Sequence, residues 1–257
     1  MPSFDLIGNI ALMKFKDESL DTKKRIALNL LEKHKNITTV LEKIEKIKGR
    51  LRTMKVRHIA GLKTTIATYK ENGCIFRLDI AKCYFSPRLA EERKLLAFMI
   101  KHNENMLVMF SGIGIYPIII QKLAHPQEIT AIELGKIPHK YAMLNQELNK
   151  ARNVKFIQGD VKKVIPKLAK QKIKFDRIVM PRPQLEETFL KEAFSVSKKG
   201  TIIHYYDFAQ ENEIDKIIQK IEKKANESKK KIRVVNIKKA GDIAPYRYRW
   251  RIDMQVS

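Results

Sequence analysis

An unbroken apolar run, Met106 to Phe110, enters Ser111-Gly-Ile-Gly114 and leaves as a second apolar run, Ile115 to Ile120. This pattern predicts a buried parallel strand that turns directly into a helix. Gly112 and Gly114 suit the turn, because glycine takes backbone angles that other residues avoid and lets a ligand lie against the main chain at a helix N-terminus. The third glycine of a dinucleotide fingerprint is absent, so these residues alone fit a plain strand-turn-helix equally well. Three further apolar strands follow: Glu128 to Glu133, Val154 to Asp160 ending in Gly-Asp, and Phe175 to Met180 running into Pro181-Arg-Pro183. Glu133 falls about twenty residues past the turn, where a doubly wound sheet places the carboxylate that grips a ribose hydroxyl. The four strand ends share one predicted edge, the crevice in which such sheets bind ligands.

Around this centre the pattern is mixed. Phe4 to Met13 alternates as a strand interrupted at Gly8, and Asp21 or Thr22 can cap a helix with Ile26, Leu30 and Leu31 on one face. Residues 37–47 and 50–60 read as short strands with Gly49 and Gly61 as turns. Thr64 to Tyr69 and Cys74 to Ile80 flank Lys70-Glu-Asn-Gly73, whose Asn-Gly predicts a hairpin. Ser86 and Pro87 open a helix. Gly200 to Tyr206 reads as a fifth strand of the large sheet, Ile214, Ile217, Ile218 and Ile221 share a helix face, and Ile232 to Ile237 and Arg249 to Met254 close the chain as strands. That makes about seven strands. The last two are joined too closely for a helical crossover, so one is expected to be antiparallel. The division expected is a small α+β unit over residues 1–75 and an α/β unit over 76–257.

Charge changes the picture more than composition does. The 52 basic and 28 acidic residues give a net charge of +24, spread from Lys14 to Arg251 rather than gathered in a tail. A broad positive face on a folded body, and a polyanionic partner such as nucleic acid, are the expectation, a biased genome being the other source of such a lysine excess. No apolar run reaches membrane-spanning length and no signal-peptide pattern opens the chain, so a cytoplasmic protein without membrane contact is expected. Cys74 and Cys83 make no metal-spaced pair and read as reduced, partly buried thiols, and no metal site is expected.

The strings Glu71-Asn-Gly-Cys74, Arg77 to Arg93 with its Tyr84-Phe-Ser-Pro-Arg-Leu-Ala-Glu-Glu-Arg93, Met109-Phe-Ser-Gly-Ile-Gly114, Asp176 to Pro183, and Ile203-His-Tyr-Tyr206 resemble the archaeal and eukaryotic tRNA (guanine-37, N1)-methyltransferases over nearly the whole chain. The resemblance implies a class I, Rossmann-like S-adenosylmethionine-dependent methyltransferase domain with a seven-stranded, mostly parallel sheet, preceded by a small α+β RNA-binding domain. It implies transfer of a methyl group to N1 of guanosine 37, with tRNA held by its anticodon stem-loop, by a protein expected to be monomeric. That chemistry needs a base for the N1 proton, a cation for charge growing on O6, and an aligned methyl group.

Position by position, Glu92 falls on the family's general base; by its residues alone it is a first-turn glutamate favoured by the helix dipole. Arg52 falls on the arginine that steadies the transition state, a role its planar fork of donors suits, and is otherwise one of 52 basic residues. Cofactor contacts carry over to Phe110, Gly112, Gly114, Glu133, Leu134, Asp160, Val161 and Met180, and substrate contacts to Arg88, Pro181, Pro183 and Tyr246. Pro181 replaces an asparagine beside the target base, leaving a backbone carbonyl as the group that would address guanine. Val108 replaces the usual acidic residue of the first strand, and a variant without the family's small N-terminal domain, which inspects the tRNA corner, is expected. His204 reads as a satisfied, partly buried histidine near the pocket. Tyr205, Tyr206 and Phe208 either stack on a flipped base or fill the sheet-helix interface, the interface being favoured. Two wyosine-pathway activities at the same tRNA position, methylation of the tricyclic intermediate or aminocarboxypropyl transfer, are the nearest rivals, and a silent RNA-binding module is a weaker one.

Overall fold

The computed structural model describes residues 4–44, 53–181 and 187–257. Strands β1 (Phe4–Ile7) and β2 (Ile10–Met13) form a hairpin about the glycine at position 8, helix α1 (Leu20–Lys33) crosses over, and β3 (Thr39–Lys43) returns parallel to β2 with β4 (Val56–Gly61) antiparallel beyond it. The four strands make one sheet in the order β1-β2-β3-β4. The cap of α1 lies upstream of the two expected residues: Ser19 Oγ accepts from the Thr22 N–H at 3.3 Å. The helix lays Ala27 and Leu30 against Met13, Val40 and Ile59, with Ile26 and Leu31 packed at the rim. Gly49 lies outside the described residues.

Next come β5 (Ile66–Glu71) and β6 (Cys74–Asp79), an antiparallel hairpin turned by Asn72 at φ +48° and Gly73 at φ +72°. Two left-handed residues in succession are what a type I′ turn requires, hence the Asn-Gly pair. A turn of 3₁₀ helix at Pro87–Leu89 leads into α2 (Ala90–Phe98). The remaining chain alternates: β7 (Asn105–Met109), α3 (Ile115–Ala124), β8 (Glu128–Glu133), α4 (Lys136–Leu148), β9 (Val154–Gln158), α5 (Val161–Lys170), β10 (Phe175–Met180), α6 (Leu190–Ser195), β11 (Ser197–Ala209), α7 (Ile214–Glu227), β12 (Ile232–Ala244) and β13 (Arg247–Val256). A seven-stranded sheet in the order β12-β13-β11-β10-β7-β8-β9 results, with β13 antiparallel to both its neighbours.

Alternate residues of the central strands feed two cores, as the two-residue period of a strand demands. Met106, Val108 and Val179 face α2 and α3, and that core continues through Phe76 and Leu78 of the β5–β6 hairpin to Ile10, Leu12 and Leu41 of the first sheet. Leu107, Met109, Ile178, Met180 and Ile203 face the other way, toward α5, α6 and α7. Val108, where an acidic residue was the family's habit, is fully buried hydrocarbon. The β5–β6 hairpin is also laced to α4, since Asn149 and Asn145 accept from the Ile75 and Arg77 N–H groups at 2.8 and 2.7 Å. β11 and β12 are longer than their apolar runs suggest, because their polar ends still pair with β13 through three register shifts in β12. Among the described residues no helix is long and apolar enough to cross a membrane.

Candidate active site

The ends of β7, β8 and β9 converge on the glycine turn. Phe110, Gly112 and Gly114 all have positive φ, at +62°, +58° and +82°. For Phe110 that conformation costs on the order of 1–3 kcal/mol, and its ring is held edge-on to Phe189 with centroids 5.1 Å apart. The two glycines do different work. A Cβ on Gly112 would meet nothing within 4 Å, which is open space against the backbone, whereas one on Gly114 would lie 2.8 Å from Phe156 Cζ. Gly112 keeps the loop clear for a ligand and Gly114 lets the helix sit on β9.

Glu133 is turned onto this loop: Oε2 accepts from the Gly112 N–H at 2.8 Å and Oε1 from the Gly135 N–H at 2.7 Å. Each carboxylate oxygen keeps a lone pair for a further donor. Asp160 caps α5 by accepting from the Lys162 N–H at 3.0 Å, Val161 is buried as the first residue of that helix, and Met180 is buried at the end of β10. The Leu134 carbonyl accepts from Gln158 Nε2. Ser111 Oγ and Tyr116 Oη, in and just after the turn, are buried without a hydrogen-bond partner among the described residues. A buried polar group left unpaired costs about 1–3 kcal/mol, which a polar ligand here would relieve.

Beside this half lies a second one, built of charge. Glu92, in the first turn of α2, is 4% exposed. Its Oε1 accepts from Arg251 Nη1 at 2.6 Å and from the Tyr206 hydroxyl at 2.7 Å. Its Oε2 is buried and has no hydrogen-bond partner among the described residues, and Lys238 Nζ stands 3.8 Å away. Arg249 lies over the Tyr206 ring at 4.7 Å and donates to the Pro181 carbonyl at 2.6 Å; its Nε is buried and has no hydrogen-bond partner among the described residues. One carboxylate oxygen is thus fixed in place and the other is left open.

Behind Glu92 the charges alternate in sign. Arg251 Nε meets Asp253 at 2.9 Å, Asp253 meets His204 Nδ1 at 2.6 Å, His204 Nε2 meets Arg177 Nη1 at 2.8 Å, and Arg177 forks onto Glu104 at 2.6 and 2.8 Å. An arginine can only donate, so His204 Nε2 accepts and Nδ1–H donates to Asp253: the ring is the neutral Nδ1–H tautomer. Burial pushes the His204 pKa down, outweighing the upward pull of Asp253. Burial works against the Asp253 carboxylate, but the His204 and Asn236 hydrogen bonds and the Arg251 charge hold its pKa below the ordinary value.

Several expected site residues therefore move. His204, expected partly buried at the pocket, is fully buried inside this chain of charges, because its strand position faces Asp253 across the sheet. The Pro181 carbonyl, expected to address guanine, accepts from Arg249 and keeps one lone pair for a further donor. The two thiols are fully rather than partly buried, and burial raises Cys83 to about 12. Tyr205 and Tyr206 fill the two sheet-helix interfaces, as favoured, yet the Tyr206 hydroxyl also reaches Glu92. Arg88 pairs with Asp5 on the surface at 2.6 Å, tying the 3₁₀ turn to β1. Tyr246 is 79% exposed at the tip of the β12–β13 hairpin. Arg52 and Pro183 lie outside the described residues. Arg249, Arg251, Asp253 and Lys238 were not picked out from sequence. For the three residues of β13 the signal is the alternation in Arg247-Tyr-Arg-Trp-Arg-Ile-Asp-Met254, which puts charged residues on one face of a strand whose other face is apolar, whereas Lys238 on β12 carries no such signal.

A parallel sheet with one antiparallel strand, a glycine turn braced by a carboxylate, and a buried carboxylate held among cations at the same edge define a class I methyltransferase architecture. The chain belongs to the TRM5/TYW2 methyltransferase family: the model of the TRM5/TYW2 methyltransferase domain matches residues 67–235, and that of the TYW2 N-terminal domain matches residues 1–64. It is 36% identical to the tRNA (guanine(37)-N(1))-methyltransferase Trm5b of Pyrococcus abyssi, over 99% of this chain and 75% of that protein, and superposes on its crystal structure with a TM-score of 0.86. It is 33% identical to the tRNA (guanine(37)-N(1))/4-demethylwyosine(37)-methyltransferase Taw22 of Nanoarchaeum equitans, over 98% of this chain and 99% of that one. The structure of Methanocaldococcus jannaschii TYW2 in complex with AdoMet aligns over 99% of both chains at 25% identity and a TM-score of 0.76.

Proposed function

We propose that this chain transfers the methyl group of S-adenosylmethionine to N1 of guanosine 37 in tRNA. The observation that carries the reading is Glu92, whose Oε1 is fixed by Arg251 and Tyr206 while Oε2 is buried and open. N1 of guanine carries a proton at neutral pH and attacks only as that proton leaves, so a positioned carboxylate is the group this reaction needs. The relatives named for G37 methylation, and the +24 net charge that suits a polyanion, support it.

The residues of the glycine turn fit the cofactor. Gly112 offers open backbone, Ser111 Oγ and Tyr116 Oη have no hydrogen-bond partner among the described residues, and Glu133 and Asp160 line the same edge as acceptors for ribose and adenine. When bound, the cofactor supplies an electrophilic methyl group on a sulfonium. Phe110, Leu134, Val161 and Met180 would line its apolar surfaces. Glu92 Oε2 would take the N1 proton, and Arg52 would supply positive charge to the base, with Arg88, Pro181, Pro183 and Tyr246 toward the RNA. The unit over residues 1–75 would grip the anticodon stem-loop while residues 76–257 carry the chemistry.

A second reading is favoured by one comparison: Taw22 matches over nearly its full length and is named for both guanosine 37 and 4-demethylwyosine 37. Methyl transfer from labelled S-adenosylmethionine to tRNA carrying G37, A37 or 4-demethylwyosine 37, with nucleoside analysis, tests both. N1-methylguanosine from G37 alone, lost in Glu92→Gln, supports the first reading. Methylation of 4-demethylwyosine as well makes the enzyme bifunctional, and no transfer to G37 despite cofactor binding refutes the proposal.

A further inference from the structure

Three cations stand around the Glu92–Tyr206 pair, and the guanidinium ends of two of them are committed, with Arg249 Nε buried where it has no hydrogen-bond partner among the described residues. Arg251 is spent on Glu92 Oε1, Asp253 and the Met99 sulfur, and Arg249 on Pro181 and the face of Tyr206. The third is Lys238 on β12, paired across the ladder with Arg251 and carrying its ammonium to 3.8 Å from Glu92 Oε2. That separation is beyond a hydrogen bond, and the lysine side chain keeps about a third of its surface in solvent, 36%. We propose, resting on the reading above, that Lys238 is a catalytic and specificity-determining residue, a second cation at the oxygen that Arg52 would serve: its ammonium donates to one lone pair of O6 of the target guanine while Glu92 Oε2 takes the N1 proton.

The Watson–Crick edge of guanine presents N1–H and O6 on adjacent ring atoms. If N1–H points at Oε2, the only open oxygen of Glu92, then O6 lies to one side of that contact. With the base seated so that O6 falls on the Lys238 side, the ammonium, 3.8 Å from Oε2, is the donor that oxygen meets. Oε1 is closed on the other side by Arg251 and Tyr206. As the N1 proton moves to Oε2, the N1 lone pair forms the bond to the methyl carbon. The carbon–sulfur bond breaks with its electrons on sulfur, and negative charge builds transiently on O6. A donor aimed at that oxygen lowers the barrier more than it stabilises the bound base. No proton leaves Lys238. Adenine fails twice at this pair, because its N1 bears no proton and its 6-amino group would face an ammonium.

Lys238→Met and Lys238→Arg in the full chain test this under single-turnover conditions with transcripts carrying G37, inosine 37 or A37. Inosine keeps N1–H and O6 and lacks only the 2-amino group. Removing one oxyanion donor typically lowers the chemical rate about 10²–10³-fold. Lys238→Met is expected to lose that much on G37 and inosine 37 alike, with dissociation constants for tRNA and S-adenosylmethionine changed less than about threefold, and Lys238→Arg is expected to restore most of the rate. Retained cofactor affinity also certifies a folded protein. A Lys238→Met rate within threefold of the wild type overturns the proposal, as does a loss confined to tRNA affinity, which would make Lys238 a phosphate contact. If the wild type itself makes no N1-methylguanosine, the underlying reading falls with it, an outcome separate from a fully active Lys238→Met.

Discussion

Replacing Arg251 by methionine isolates the cost of unpairing the charges behind Glu92. Arg251 is 2% exposed and holds two carboxylates at once, Glu92 at 2.6 Å and Asp253 at 2.9 Å. Methionine fills similar space but leaves both carboxylates buried without their shared cation. Removing one member of a buried ion pair costs about 3–5 kcal/mol, against a total stability of roughly 5–15 kcal/mol for a protein of ordinary robustness. At about 2–4 °C per kcal/mol for a chain of this size, the melting temperature should fall by roughly 6–20 °C. Removing the carboxylates as well, in Arg251→Met/Glu92→Gln/Asp253→Asn, should recover most of the loss, because the penalty belongs to uncompensated charge. Urea unfolding followed by the fluorescence of Trp250, packed in the core on the opposite face of β13, measures both. Glu227→Gln, which breaks an exposed pair with Lys224, is the control and should leave the midpoint unchanged. A single Arg251→Met variant that loses under about 1 kcal/mol, or a triple variant no better than the single, refutes the reasoning.

Three further outcomes follow from the same contacts. His204 has a folded pKa pushed below its unfolded value near 6.5 by burial, so the unfolded chain binds more protons as pH falls; stability should be full above that pH and decline below it, and His204→Asn should flatten the slope of melting temperature between pH 7 and 5. Gly114→Ala forces a Cβ into a φ of +82° and against Phe156, and should cost on the order of 1–2 kcal/mol from the backbone alone, read as a lowered denaturation midpoint and weaker cofactor binding. Glu133→Gln weakens the brace on the Gly112 and Gly135 N–H groups, and should raise the dissociation constant for S-adenosylmethionine by roughly 10- to 100-fold, as loss of one charged hydrogen bond of about 1.5–3 kcal/mol requires, while G37 specificity is unchanged.

How much of this was legible in the sequence depended on which physical signal each part leaves. The parallel strands are buried on both faces, so Glu128 to Glu133 and Phe175 to Met180 are apolar runs whose bounds the structure reproduces. Asn72-Gly73 announces its turn through the φ > 0 that only such residues accept readily. The cap of α1 was misplaced because Ser19, Asp21 and Thr22 are all capping residues within one turn, and only the chain's entry angle selects Ser19. The cofactor half was readable because its chemistry runs through the backbone, which demands glycine. The acceptor half was not, because Glu92 and Arg251 are 159 residues apart and nothing local pairs them. Even the resemblance that singled out Glu92 was silent on Lys238, Arg251 and Asp253.

That asymmetry follows from what each half has to do. A nucleoside-bearing cofactor is held by loop geometry, and loop geometry is local. A carboxylate that must stay dry and keep one oxygen open needs opposite charge around it, and every counter-charge must itself be countered. The chain from Glu104 through Arg177, His204, Asp253 and Arg251 to Glu92 meets that demand by alternating sign along one face of β10, β11 and β13. It can do so only because β13 runs antiparallel between β11 and β12, which sets His204 opposite Asp253 and Lys238 opposite Arg251. The orientation of the proposed base is therefore set by a strand that ends the chain, and Asp253 and His204 govern it without reaching the carboxylate. A substitution at Asp253 should accordingly disturb methyl transfer through Arg251, with cofactor affinity spared, since none of its partners lies at the glycine turn.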